Sequence, residues 1–174
     1  MLKRYALLLS AGLLSLGLSG CWIQIDEGEP LPPRYRPILM SRASLEQAVT
    51  LQPARALHNT GKIYLQGRYL FINERYEGLH IIDNQDPSQP RNVGFVRIPG
   101  NLDVSMRGGL LYADNAVDLV TLDVSDPAQV RVRSRVRGAF PELAPPEPTN
   151  LEPEFMPENR PADAVVVGWQ AINQ

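Results

Sequence analysis

Two segments of the chain align when one is shifted by 40 to 41 residues, and this internal repeat constrains the fold more than any other feature. Gly67-Arg68-Tyr69-Leu70-Phe71-Ile72, followed by Gly78-Leu79-His80-Ile81-Ile82-Asp83-Asn84-Gln85-Asp86-Pro87, forms the first copy. Gly108-Gly109-Leu110-Leu111-Tyr112-Ala113, followed by Asp118-Leu119-Val120-Thr121-Leu122-Asp123-Val124-Ser125-Asp126-Pro127, forms the second. The slip of one residue falls in a hairpin. A unit of this length matches the roughly 40–45 residues that one four-stranded antiparallel meander of a β-propeller needs.

Each copy contains four strand-like runs, at about 62–66, 68–73, 79–83 and 91–98, then at about 101–106, 109–113, 118–123 and 130–137. Gly67 and the Gly108-Gly109 pair supply the positive φ of tight hairpins. Glu77-Gly78 and Asp114-Asn115 suit the next turn. Asp83, Asp86, Asp123 and Asp126 are expected to cap turns by accepting nearby backbone N–H groups, with Pro87 and Pro127 stopping the strands. The fold class expected is all-β, with two four-stranded antiparallel propeller-like blades at about 62–100 and 101–137 inside a repeat region of 44–137. Residues 55–58 read as the outer strand of an incomplete preceding blade. Residues 164–174 supply a terminal strand, with Ala164 to Trp169 as the inner strand of a third blade. Two blades leave apolar faces without neighbours. The sequence therefore implies either a shortened relative of a longer protein or self-association that completes the propeller.

Leu79-His80-Ile81-Ile82-Asp83 and Leu119-Val120-Thr121-Leu122-Asp123, each followed by an Asp-Pro turn, resemble the LVIVD repeat of propeller-like proteins of the bacterial cell envelope. His80 and Thr121 depart from the apolar pattern and are expected on the exposed face of their strands. The resemblance brings no catalytic residues with it.

Residues 1–20 read as a secretion signal: Lys3 and Arg4 precede an apolar run too short to span a bilayer comfortably. Leu18-Ser19-Gly20-Cys21 resembles the lipobox of bacterial lipoproteins. That resemblance implies cleavage before Cys21 and lipidation of its sulfur; Trp22, standing where Asp would resemble an inner-membrane retention signal, favours anchoring in the outer membrane, with the periplasmic and cell-surface sides both open. Residues 21–43 read as a tether, because Pro30, Pro32, Pro33 and Pro37 favour extended backbone. Ser44 to Val49 suits a short helical turn capped by Ser44.

Arg131, Arg133, Arg135 and Arg137 alternate with smaller residues, so a regular strand sets all four on one face as a candidate anion-binding ridge. The acidic, Pro-rich linker 138–163 is expected to neutralise them in cis. The single Cys excludes an intrachain disulfide. His58 and His80 lack a thiolate partner or a nucleophile context, Glu74 and Glu77 have no evident partner, and Asp83/Asp86 or Asp123/Asp126 fall short of a calcium loop. No metal, no cofactor and no nucleic-acid partner is expected, the last because 17 basic residues face 19 acidic ones. The function expected is a membrane-anchored, non-enzymatic binding or scaffold module with an envelope protein or glycan as partner. The alternatives are a truncated relative of an envelope propeller hydrolase or lyase, and a truncated product without independent function.

Overall fold

A computed structural model describes residues 31–172. The secretion signal 1–20, the lipobox residues Leu18, Ser19, Gly20 and Cys21, and the first part of the tether lie outside the described residues. The remainder is mostly strand, in three antiparallel sheets that do not close into a ring.

The first repeat forms β3 (Thr60–Gln66), β4 (Tyr69–Glu74), β5 (Gly78–Asp83) and β6 (Arg91–Arg97). A short strand, β2 (Thr50–Gln52), joins outside β6, giving the order β2-β6-β5-β4-β3. The second repeat forms β7 (Val104–Arg107), β8 (Leu110–Asn115), β9 (Asp118–Asp123) and β10 (Arg131–Val136), in the order β10-β9-β8-β7. Each sheet is thus the expected meander. The two even share an irregularity. Val93 is skipped where β5 pairs with β6, and Arg133, 40 positions on, is skipped where β9 pairs with β10. Each bulge resets the alternation of its outer strand.

The two sheets pack head to tail. Phe71, Leu79, Ile81 and Val96 on one side of the first sheet meet Val104, Leu111, Ala113, Val120 and Leu122 of the second in one buried core. By repeat position these are opposite sides. Phe71 and Leu79 correspond to Tyr112 and Leu119, which point away from the first sheet, whereas Leu111 and Ala113 correspond to Leu70 and Ile72. Asn101, fully buried, ties the junction: it accepts from Asn73 Nδ2 and donates to Asp103 O and Asp114 O, both at 3.0 Å. Its carbonyl also takes the N–H of Tyr76 at 2.6 Å, which helps hold Tyr76 at φ 66.

Several sequence expectations are corrected. Tyr35–Ser41, assigned to the tether, is strand β1, and it pairs with β11 (Ala164–Ala171). Pro37 is tolerated because β1 is an edge with a partner on one side only. Ser41, not Ser44, caps helix α1 (Arg42–Gln47), its Oγ accepting from Ser44 N at 3.2 Å. Residues 55–58 are not a strand. The added outer strand is β2, which Pro53 terminates, and residues 53–59 fold instead over the outward side of the first sheet. Ala164–Trp169 does not begin a third blade. The β1–β11 pair packs its Val165, Val166 and Val167 with Leu45, Leu143 and the hairpin residues Tyr76, Ala116 and Val117. In the second repeat Ala116, at φ 56, makes the turn predicted for Asp114-Asn115.

Two glycines with positive φ separate backbone strain from crowding. A Cβ at Gly67 (φ 58) meets nothing within 4 Å, whereas one at Gly78 (φ 139) lands 2.0 Å from Val96 O. Gly67→Ala is expected to cost about 1–2 kcal/mol, the left-handed penalty alone. Gly78→Ala should cost at least about 2 kcal/mol more, because β6 must move. Urea melts of the two variants check the difference.

Candidate functional site

The β4–β5 hairpin (Arg75-Tyr76-Glu77), residues 55–59 and the β1–β11 pair enclose an open cleft of about 430 Å³. Ile38, Met40, Val167 and Trp169 give it an apolar wall. Arg55, His58, Arg75 and Arg97 line it together with Glu74 and Glu77. Arg55 pairs with Glu77, and its guanidinium lies 3.7 Å from the centre of the Phe95 ring. Arg55 Nε is buried and has no hydrogen-bond partner among the described residues. Trp169 is fixed by its Nε1–H, which donates to Leu143 O at 3.0 Å.

Glu74 and His80 form a buried pair behind this cleft, which corrects two expectations. His80 is fully buried and not on an exposed face, and Glu74 has partners. Both point to the outward side of the first sheet, where residues 53–59 cover them. His80 Nε2 donates to Glu74 Oε2 at 3.1 Å, and the same oxygen takes His58 N–H at 3.2 Å, while Asn59 N–H donates to Oε1. His80 Nδ1 then faces Asn92 Nδ2 at 3.4 Å, and Asn92 Nδ2 also donates to Arg55 O at 2.7 Å. Burial alone raises the Glu74 pKa, but the Asn59 and His58 N–H groups and the His80 ring outweigh it and hold the carboxyl below its ordinary value. Asp114 shifts the opposite way. Burial dominates there and keeps its pKa raised despite the donors at Asp103, Leu102 and Asn101. The signal for the pair was present in the sequence: a His at an apolar repeat position, six residues after a Glu at the preceding strand end.

The four arginines do not form a ridge. The bulge at Arg133 turns Arg135 towards the Val120 side and leaves Arg131 on the Asp123 side. Arg133 pairs with Asp123, Arg135 with Asn115 and Asp118, Arg137 with Glu46, and Arg131 with Gln129. The linker glutamates do not neutralise them: Glu142, Glu147 and Glu152 pair with Arg160, Arg34 and Arg36. Asp118, fully buried, is the centre of this region. It holds Arg42 of α1 through both oxygens at 2.6 and 2.7 Å, Arg135 at 2.7 Å and Gly138 N–H at 3.1 Å. Asp83, Asp86, Asp123 and Asp126 each accept the N–H two residues ahead, from Gln85, Ser88, Ser125 and Ala128. The Ser125 hydroxyl, with Arg133, holds the Asp123 pKa far below its ordinary value. Among the described residues no cluster of three or more His, Cys, Asp or Glu could hold a metal, and no helix is long and apolar enough to cross a membrane.

Glu74 stabilises the fold above the usual carboxylate range, and that contribution is lost as pH falls through its lowered pKa. Glu74→Gln should cost about 1–3 kcal/mol near neutral pH. The difference from wild type should shrink as pH falls below the usual carboxylate range and Glu74 takes up its proton, as read from urea melts at neutral and progressively lower pH. Asp118→Ala leaves the mostly buried Arg135 without a carboxylate partner and Arg42 with Glu46 alone, and a loss of about 3–5 kcal/mol is expected by the same measurement.

Comparison with known proteins returns the family of the repeat. The LVIVD repeat model matches residues 59–97 and 101–137, one match on each sheet. No curated protein and no solved structure matches the chain. The matched segments, the shared bulge and the equivalent hairpins agree on the unit. Residues 59–97 and 101–137 are thus two copies of the LVIVD repeat, and each copy forms a propeller-like antiparallel sheet.

Proposed function

We propose that this chain is a bacterial envelope lipoprotein, anchored in the outer membrane through Cys21, whose repeat body binds an acidic glycan without turning it over. The observation that carries the binding role is the cleft beside the β4–β5 hairpin. Trp169 and Tyr76 offer aromatic surface to a sugar ring, and Arg55, Arg75 and Arg97 supply guanidinium donors for its carboxylate or phosphate groups. Its volume of about 430 Å³ suits a short saccharide segment.

The groups around it favour binding over acid–base chemistry. Glu74 has its oxygens engaged by His80 and two backbone N–H groups, and its lowered pKa makes it a poor proton donor. Glu77 is engaged by Arg55. The reading of the anchor rests on the Leu18-Ser19-Gly20-Cys21 resemblance to a lipobox, with several acyl chains giving stable attachment.

Two experiments test the two halves. Cys21→Ser should abolish fatty-acid incorporation and release the chain from the membrane fraction; continued labelling of that variant overturns the anchor. Binding of acidic polysaccharides by the full chain should weaken at least about tenfold in Arg75→Glu and in Trp169→Phe, a loss of about 1.4 kcal/mol or more. Equal binding by both variants, or turnover of the bound glycan, overturns the binding role.

A further inference from the structure

The first sheet is apolar on both sides, the second carries Leu110, Tyr112 and Leu119 among polar residues on its outer side, and the packing between the sheets covers one side of each. The outward side of the first sheet carries Ile63, Leu65, Leu70 and Ile72; residues 53–59 cover its far part, over His80 and Phe95, and leave the β3 edge open. Position for position this outward side is the side of the second sheet that carries Val104, Met106, Leu111 and Ala113, which are packed into the shared core. In the first sheet nothing plays that part for β3: Ile63 is 62% and Leu65 68% exposed. Conversely, Tyr112 and Leu119 on the uncovered side of the second sheet stand where Phe71 and Leu79 are fully buried in the first. A shallow groove of about 230 Å³ opens there, lined by Ser105, Tyr112, Leu119 and Phe140.

We propose that a second copy of this chain docks between these two sides, head to tail. The open β3–β4 part of one copy, with Ile63 and Leu65, seats on the Tyr112/Leu119 side of the next and repeats between chains the part of the packing that β7 and β8 make within one. Charge supports the same occupant. Within the chain Lys62 Nζ pairs with Asp103 Oδ1 at 2.8 Å, and these two residues hold equivalent repeat positions. A junction between copies therefore sets Asp103 of one beside Lys62 of the next, again opposite in sign. Such an interface is heterologous, so it grows until the rotation closes. Closure at roughly four to eight sheets corresponds to about two to four copies. The inference does not rest on the cleft, which lies at the hairpin end of the first sheet.

The test is sedimentation of the full chain in mild detergent at micromolar concentration, with circular dichroism to verify that each variant is folded. The wild type should sediment as an assembly. The double variant Ile63→Asp/Leu65→Asp and the single variant Ser105→Arg, all at exposed positions, should each sediment as one copy. An equimolar mixture of the two variants should recover a species of two copies, because each keeps one intact side. Met156→Asp, at an exposed apolar residue away from both sides, should assemble as the wild type does. A single-copy wild type, assembly unchanged in either side variant, or a mixture that stays single-copy overturns the proposal.

Discussion

A sheet that is apolar on both sides cannot be satisfied by a single neighbour, and the rest of this structure follows from that constraint. The Phe71/Leu79/Ile81/Val96 side of the first sheet covers the Leu111/Ala113/Val120/Leu122 side of the second. Each fully buried side chain of this type contributes about 1.5–3 kcal/mol, so this one contact dominates the stability of the body. Other elements cover what it leaves. The β1–β11 pair covers the hairpin residues Tyr76, Ala116 and Val117, and residues 53–59 lie over His80 and Phe95. What stays open is the outward side of β3 and the outward side of the second sheet.

Buried charge fixes how these covers attach. Glu74 binds residues 58–59 to the first sheet, and Asp118 binds α1 and β10 to the second. Each carboxylate is fully buried, so leaving it unpaired would cost several kcal/mol, more than a surface ion pair could return. Both lie at the hairpin end of their sheets, where backbone N–H groups are free of the ladder and reach the carboxylate. Attachment by a buried ion is more specific than attachment by apolar contact, since only one register satisfies every donor. This explains how a six-residue helix and an irregular segment hold fixed positions on the sheets.

The meander was legible because its signals are local. Hairpin glycines, Asp-Pro turns and period-two alternation placed all eight repeat strands, and the order of pairing follows from their short connections. What escaped depends on partners far apart in the chain. Pro37 reads as a tether until a strand more than a hundred residues away pairs with one of its edges. His80 reads as exposed until residues 53–59 cover it, and the arginines read as a ridge until a bulge at Arg133 breaks their alternation. The candidate cleft was illegible for the same reason: its walls come from three segments, and only the repeat that carries Glu74 and Tyr76 was recognisable in sequence.

The cleft lies where the two repeats differ. Glu74 and His80 correspond to Asn115 and Val120, and Tyr76 to Ala116. The three-residue hairpin of the first repeat, between Glu74 and Gly78, is one longer than that between Asn115 and Asp118. The extra residue and the aromatic side chain hold the β1–β11 pair off this end of the first sheet, and the gap is the cleft. In the second repeat the small Ala116 is fully buried against Val166 and Leu143, with no such gap. A strictly duplicated unit would have placed the β1–β11 pair equally close to both hairpins. Divergence of a few positions, on sheets whose stability is set elsewhere, is therefore sufficient to convert one of two equivalent ends into a site.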